Sequence, residues 1–332
     1  MRFYRKLLTG WQMAHLIDGS APRILILRGG AIGDFVLTLP AIQALRRRWP
    51  QAYIELVGYP HIAQLAHAGG LVDRITSLDK ADVARYFSLR PCIPDEQSAY
   101  IQSFDLIVSY LYDPDEVVKR NLLAAGATQV LYGSPIVREA HAVDHLLKPL
   151  EELAIYAEEL ERPQLNLKEN HLRNGRDRIK SMGERVVAIH PGSGSPTKNW
   201  PIDKFLDLVE RITGNGSMTP VFIMGEADTD VAHELSRKKC QVPVLPSGSL
   251  VELAEWLSAC AAYVGNDSGV THIAASLGIS VIALYGPTNP DLWGPRGPNV
   301  RILQETSETL AGIPVENVFK SLLLSDHSRG GS

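Results

Sequence analysis

Three places along the 332 residues collect side chains whose types and spacing could do chemistry. Residues 262–275 read as a short buried strand ending at Val264, a polar turn Gly265-Asn266-Asp267, and a helix starting near Ser268. Such a turn leaves the first backbone N–H groups of the helix unpaired beside the positive end of its dipole, a natural phosphate site. Asp267 is the oddity there, since a carboxylate beside an anion site repels the anion unless it faces something else. A plain N-cap role for Asp267 or Ser268 is the other reading. Residues 191–201 form a loop rich in glycine and hydroxyls with one lysine, Lys198, the inventory for gripping phosphate. It is not a P-loop, because Thr197 precedes Lys198 and no Ser or Thr follows it; Lys198 can also be read as a surface cation ahead of a helix. The third place is Asp34, after Arg28-Gly29-Gly30-Ala31-Ile32-Gly33, at the carboxyl end of the apolar run 23–27. Open α/β sheets bind ligands at that end, although Asp after Gly is also a common turn residue.

Other chemistries find less support. Asp228-Thr229-Asp230 has the form of a metal–nucleotide pair, but acids in a first helical turn are favoured by the dipole, and that reading is preferred. His141 and His145 stand one turn apart without a third ligand nearby, as a solvated or acceptor-facing pair rather than a metal site. Cys92, Cys240 and Cys260 have neither metal nor disulfide spacing, as expected of a reduced cytosolic protein. A nicotinamide site would want an acid at the end of the second strand, which instead ends Gly58-Tyr59-Pro60. A net charge of −4 gives no argument for nucleic acid, and 45% hydrophobic residues suit two domains with ordinary cores. No signal peptide is expected, and the longest apolar run, 273–284, is broken by Ser276, Gly278 and Ser280 and is too short to span a bilayer.

The elements that must position these residues follow a plan stated twice. A continuous apolar strand, 23–27, meets a glycine turn and a helix running to about residue 49, which is the doubly wound signature. Pro40 leaves two registers open: a helix begun at Asp34 and kinked, or one capped by Thr38. Strands follow at 53–59, 74–78, 105–110 and 130–133, with 79–103 polar and irregular and one or two helices over 139–161. The second statement has strands at 185–190, 220–225, 242–245, 262–264 and 280–285, helices at 226–237 and 250–261, a stiff loop at 286–295 and a last helix near 314–324. The expected domains are 1–162 and 171–332 with a linker at 163–170, the last helix being able to pack back on the N-terminal half. The fold class is α/β, two doubly wound, Rossmann-like domains facing each other across a cleft. Phosphate grip in one half (Ser193, Lys198, the helix at Ser268) and a base in the other (Asp34) suit displacement of a nucleoside diphosphate by a hydroxyl. The leader, 1–22, carries Arg2, Arg5 and Lys6 beside Phe3, Leu7, Leu8 and Trp11, and either packs on the body or touches anionic lipid.

Taken together, Gly33-Asp34 with Thr38-Leu39-Pro40, His190-Pro191-Gly192 with Lys198-Asn199-Trp200-Pro201, and Gly265-Asn266-Asp267-Ser268-Gly269 with His272-Ile273-Ala274-Ala275 resemble the family-nine glycosyltransferases. These are the heptosyltransferases of lipopolysaccharide core assembly. Gly286-Pro287-Thr288, Pro290 and Trp293-Gly294-Pro295 extend the resemblance, which spans 23–301. It implies a GT-B fold, an ADP-heptose donor, inversion at the anomeric carbon, and neither metal nor other cofactor. By the same resemblance Asp34 is the general base and Lys198 binds the donor diphosphate. Asp267, Ser268, Gly269 and His272 line the donor site, with His190, Gly192, Ser193 and Glu226, while Gly29, Gly30 and Gly33 form the acceptor-side loop. The implied partners are a nucleotide-sugar donor and a lipid-linked or other glycan acceptor, met in the cytoplasm, with peripheral contact at the inner face of the membrane. Residues 79–103 and 110–120 depart from the core heptosyltransferases and leave the acceptor open. The alternatives are the same fold with another nucleotide sugar or epimerase-like chemistry, and a GT-B binding protein without turnover.

Overall fold

The computed structural model describes residues 21–89, 92–157, 161–225, 228–246, 248–306 and 309–327. The basic leader up to residue 20 and Glu226 lie outside the described residues. The chain divides into two compact units, Met1–Arg162 and Pro163–Ser332.

Unit 1 is a five-stranded parallel sheet in the order β3-β2-β1-β4-β5. Its strands are β1 (Arg23–Leu27), β2 (Tyr53–Gly58), β3 (Arg74–Ser77), β4 (Leu106–Ser109) and β5 (Val130–Tyr132). The centre falls to β1, whose residues 24–27 are buried, because a strand covered on both faces needs an unbroken apolar run. Helices α1 (Ile32–Val36), α2 (Leu39–Arg48), α3 (Pro60–Ala68), α4 (Ala81–Ala84), α5 (Asp95–Gln102), α6 (Val117–Ala124) and α7 (Ala142–Leu147) complete the unit.

Neither register left open by Pro40 is used as stated, since the first helix begins at Ile32 and Thr38, at the N-cap position of the second, makes no side-chain cap hydrogen bond. One short helix ends at Val36, and a second starts at Leu39 with Pro40 in its first turn, where the missing N–H costs nothing. Residues 79–103, expected to be irregular, hold α4, a 3-10 turn over Arg85–Phe87, and α5. Pro94 directly before α5 and Asp95 and Glu96 in its first turn are ordinary helix-start signals. Val83, Tyr86, Ile101 and Phe104 anchor the segment in the same apolar cluster as Leu25, Leu27 and Ile107.

Unit 2 is a six-stranded parallel sheet in the order β11-β10-β9-β6-β7-β8. The strands are β6 (Val186–His190), β7 (Thr219–Met224), β8 (Val244–Pro246), β9 (Ala262–Asn266), β10 (Ser280–Tyr285) and β11 (Val300–Gln304). The helices are α8 (Glu169–Ile179), α9 (Ile202–Asn215), α10 (Thr229–Arg237), α11 (Leu250–Ala259), α12 (Gly269–Ser276), α13 (Pro290–Trp293) and α14 (Val315–His327). Residues 163–170 are not a bare tether: Leu165 and Leu167 are buried and the Leu165 N–H donates to the Ser276 carbonyl at 2.8 Å. They lead into α8, a helix the sequence reading missed, which packs so closely on α11 that a Cβ on Gly175 would overlap the Glu255 carbonyl. Strand β11 was also missed; it pairs with β10 in register Val281↔Val300, at the edge of the sheet, where half-exposed residues give a weak apolar signal. Helix α14 packs on α9 and β10 of its own unit, with Val318 and Leu322 in the core. Among the described residues no helix is long and apolar enough to cross a membrane.

Candidate active site

In unit 2 the strands β6, β9 and β10 lie side by side, with His190 opposite Gly265 and Leu284 opposite Asn266. Their carboxyl ends therefore deliver the loop 191–200 and the turn 266–268 to one edge of the sheet. The side chain of Asn266, fully buried, joins them. Its Nδ2 donates to the Pro191 carbonyl at 2.8 Å and its Oδ1 accepts the Trp200 N–H at 3.0 Å. Both ends of the loop are thus held by one amide. Trp200 is sunk in the core, donating Nε1–H to the Ile313 carbonyl at 3.1 Å and meeting Phe205 edge-on. Inside the loop, the half-buried Ser193 shares its hydroxyl hydrogen between Asn199 Oδ1 and the Ser195 carbonyl, at 2.6 and 2.7 Å.

Lys198 ends a 3-10 turn two residues before that anchor, and its Nζ lies 2.7 Å from Oδ2 of Asp267. The Lys198 side chain is 33% exposed and that of Asp267 only 9%. The Asp267 carboxylate thus faces the cation of the neighbouring loop. Burial and then the Asp267 charge hold the Tyr285 phenol well above its ordinary pKa, so it stays neutral against the pair. Ser268 takes the N-cap position of α12 in an extended conformation, yet its side chain makes no cap hydrogen bond. Its Oγ lies 3.4 Å from His190 Nδ1 and 3.3 Å from Thr271 Oγ1. Gly269 opens the helix, and His272 is buried one turn from Ser268.

His190 is buried and Nε2 lies 3.1 Å from Oδ2 of Asp228, which the sequence offered only as half of a metal–nucleotide pair or as a first-turn acid. Asp228 does precede a helix, but its carboxylate makes no cap hydrogen bond; it accepts the Gly225 N–H at 2.8 Å and turns to His190. Burial pushes its pKa up. The hydrogen bond and charge of His190 and the Gly225 N–H outweigh that, leaving it below the usual carboxylate value. The preferred reading of Asp228 as a first-turn acid thus gives way to a buried partner for His190, while Asp230 is exposed. Among the described residues no group of three or more His, Cys, Asp or Glu side chains is placed to hold a metal ion. His141 accepts the Val143 N–H and caps α7, and His145 Nε2 reaches the Ser134 carbonyl at 2.8 Å.

In unit 1 Asp34 is half-buried at the third position of α1. Its Oδ2 accepts the Ala31 N–H at 3.0 Å, across a turn in which Gly30 has φ +97°. Gly29 precedes that turn and Gly33 lies inside α1. What holds Asp34 in place is Arg28, a second residue the sequence reading passed over. Its buried guanidinium donates to the Asp34 carbonyl (2.9 Å), the Thr38 hydroxyl (2.9 Å) and the Tyr110 carbonyl (3.3 Å). Burial lowers the Arg28 pKa, with Asp34 and Tyr110 opposing. An arginine closing an otherwise apolar strand was the available signal.

A family model described as glycosyltransferase family 9 (heptosyltransferase) matches residues 125–321. The chain is 22% identical to lipopolysaccharide heptosyltransferase 1 of Escherichia coli strain K12, over 90% of this chain and 99% of that protein. In structure it is similar to the glycosyl transferase family 9 from Veillonella parvula DSM 2008, with a TM-score of 0.77 at 21% identity, covering 92% of this chain and 97% of that one. It is also similar to E. coli heptosyltransferase WaaC with ADP-2-deoxy-2-fluoro heptose, with a TM-score of 0.67 at 20% identity, covering 92% and 99%. At these identities the likeness shows the fold, and the two parallel-sheet units are of the GT-B type.

The lowered pKa of Asp228 has a consequence for stability. A carboxylate depressed on folding stabilises the fold above its unfolded value, about 3.9, and loses that contribution as pH falls through the lower folded value. Urea unfolding of wild type and Asp228→Asn should therefore differ most near neutrality and converge in acid. A gap that stays constant with pH would show that the ionised carboxylate is not what holds this corner.

Proposed function

The chain belongs to glycosyltransferase family 9, and from that premise we propose that it transfers a heptose from ADP-heptose to a hydroxyl of a lipopolysaccharide-core-like acceptor, by single displacement without a metal. The observation that carries this reading is the pairing of Lys198 with Asp267 at the uncapped start of α12. It puts a part-exposed ammonium beside free-ended helix N–H groups, the donor set for a diphosphate. The heptose and the ADP are drawn from the activities and ligand named for the E. coli relatives.

In the proposed reaction Asp34 accepts the proton of the acceptor hydroxyl as its oxygen attacks the anomeric carbon. The bond from that carbon to the diphosphate oxygen breaks, and ADP departs with the electron pair. Lys198 and the N–H groups of α12 take up the charge that develops on the leaving phosphate, the task a divalent cation performs elsewhere. One displacement with no covalent intermediate inverts the anomeric carbon. Asp267, already an acceptor in its pair with Lys198, also suits hydroxyls of the donor's sugar or ribose, with Gly192, Ser193 and Gly269 beside it and His272 one turn further. Gly29, Gly30 and Gly33 allow close approach of the acceptor to Asp34. The acceptor is read as lipid-linked, so the enzyme works on the cytoplasmic side, at or near the inner face of the membrane.

Turnover should persist after exhaustive chelation; activity abolished by chelation and restored by magnesium or manganese would refute the metal-free route. Lys198→Ala should lower kcat/KM by at least about tenfold, since a charge-assisted hydrogen bond contributes roughly 1.5–3 kcal/mol. Unchanged kinetics would make Lys198 only the partner of Asp267. Asp34→Asn keeps the shape and the Ala31 contact but cannot take a proton. Its kcat should fall about 10²–10⁴-fold with ADP affinity and melting temperature nearly unchanged. Near-normal turnover would reduce Asp34 to a turn residue, and failure of ADP to bind wild type would favour another nucleotide.

A further inference from the structure

The proposed chemistry leaves one buried ionisable pair without a task. His190 and Asp228 have side chains only 5% and 8% exposed, and the proposed displacement gives neither a role. Asp228 is walled in by backbone. Its Oδ2 takes the Gly225 N–H, and the chain at Gly192 passes so near that a Cβ there would overlap its carboxylate. Glycine at 192 thus makes room for Asp228 as much as for a ligand. On the far side, the His190 ring points Nδ1 at Ser268, whose hydroxyl is not spent on capping α12.

We propose that Asp228 is a positioning residue that sets the His190 ring, through which one proton turns Ser268 into a hydrogen-bond donor for the donor's diphosphate. The inference rests on the reading of α12 as the diphosphate site. A hydroxyl carries one hydrogen. With Nε2–H directed at Asp228 and Nδ1 bare, Ser268 gives its hydrogen to the ring and shows lone pairs to an incoming phosphate. With a proton on Nδ1 the ring donates to Ser268 Oγ, and the hydroxyl hydrogen is freed from the ring, so that an anionic phosphate competes for it only with the neutral Thr271 and Tyr263 hydroxyls. One proton therefore adds a positive charge and reverses the polarity of Ser268. Asp228, 3.1 Å from Nε2, is the carboxylate that faces that charge.

The neighbouring groups leave His190 as the group that responds. Tyr263, from β9, is fully buried, its phenol raised well above the ordinary value first by burial, and its hydroxyl lies 3.0 Å from Thr271 Oγ1 and also bonds Ser268. Thr271 gives its own hydrogen to the Asn266 carbonyl, so it offers Ser268 an acceptor alone. Asp267, next in sequence to Ser268, is paired with Lys198. Glu226 lies outside the described residues.

The test is ADP affinity by calorimetry from about pH 5.5 to about pH 8.5, across the range in which a histidine titrates. ADP itself titrates there, so the comparison is among wild type, Asp228→Asn and His190→Gln, which share the nucleotide's own protonation. Uptake of one proton linked to binding changes affinity by up to about tenfold per pH unit. Wild type should thus gain about tenfold more than either variant as pH falls, with extra proton uptake seen as a buffer-dependent heat. Gly192→Ala, which displaces the Asp228 carboxylate, should give the flattened profile too. A merely structural role would weaken binding equally at every pH. Parallel profiles for wild type and His190→Gln, with ADP still bound, overturn this inference and leave the proposed function standing. No ADP binding by wild type overturns both. Should Asp228→Asn not fold, His190→Gln decides the matter alone.

Discussion

The candidate site of unit 2 depends on one buried amide. Asn266 ends a central strand with no exposed surface, so its polar atoms must be satisfied within the protein or cost several kcal/mol between them. The partners it finds are backbone groups at both ends of the 191–200 loop. That loop has few apolar contacts of its own: residues 193–199 are all half-buried or exposed. Its shape is therefore imposed from below, by Asn266 at its entry and exit and by Trp200 seated in the core. Lys198 inherits its position from this arrangement, because only Asn199 separates it from Trp200.

Unit 1 solves the same problem with a different side chain. At the end of its own central strand Arg28 is buried and reaches α1, the start of α2 and the end of β4. A guanidinium has five donors in a rigid fork, so it can bind three acceptors on three elements where a lysine could not. Parallel sheets open their strand ends to ligands and loops, and those ends lack the neighbouring strand pairs that order the sheet. In both units one well-satisfied polar side chain supplies the missing order there. A partly satisfied one would be worse than an apolar residue, which is why the donors and acceptors are so fully used.

The plan of both sheets was legible in the sequence because parallel strands buried on two faces are apolar throughout, and because glycine turns punctuate them. Lys198, Asp267, Ser268 and Asp34 were legible as candidates, since loops at strand ends expose their chemistry. The pairing of Lys198 with Asp267 was not, for 69 positions separate them and nothing local records that β6 and β9 are neighbours. Asp228 was misread for the same reason. Its local context is a helix start, where an acid needs no further explanation, while its partner His190 is 38 positions upstream. Apart from the Thr38 hydroxyl, Arg28 and Asn266 hold the two sites through backbone carbonyls and N–H groups, which carry no residue-type signal. Helix α8 and strand β11 were lost to weak periodicity, as α8 is largely polar and β11 lies at an edge.

The Lys198–Asp267 pair also constrains how an anion can be held. A lone ammonium at the end of a short turn would be strongly hydrated and free to sample several rotamers. Held 2.7 Å from a carboxylate that is itself nearly buried, it is fixed in direction. The carboxylate reduces the net positive charge, so affinity for an anion cannot come from Lys198 alone. The N–H groups of α12 have no counter-charge of that kind, and Ser268 does not cap them. In the proposed site they would add to the attraction of the lysine, whose direction Asp267 fixes. In the proposed reaction an anion held there would meet fixed dipoles on one side and an oriented cation on the other, and neither would have to reorganise as charge builds on a departing phosphate.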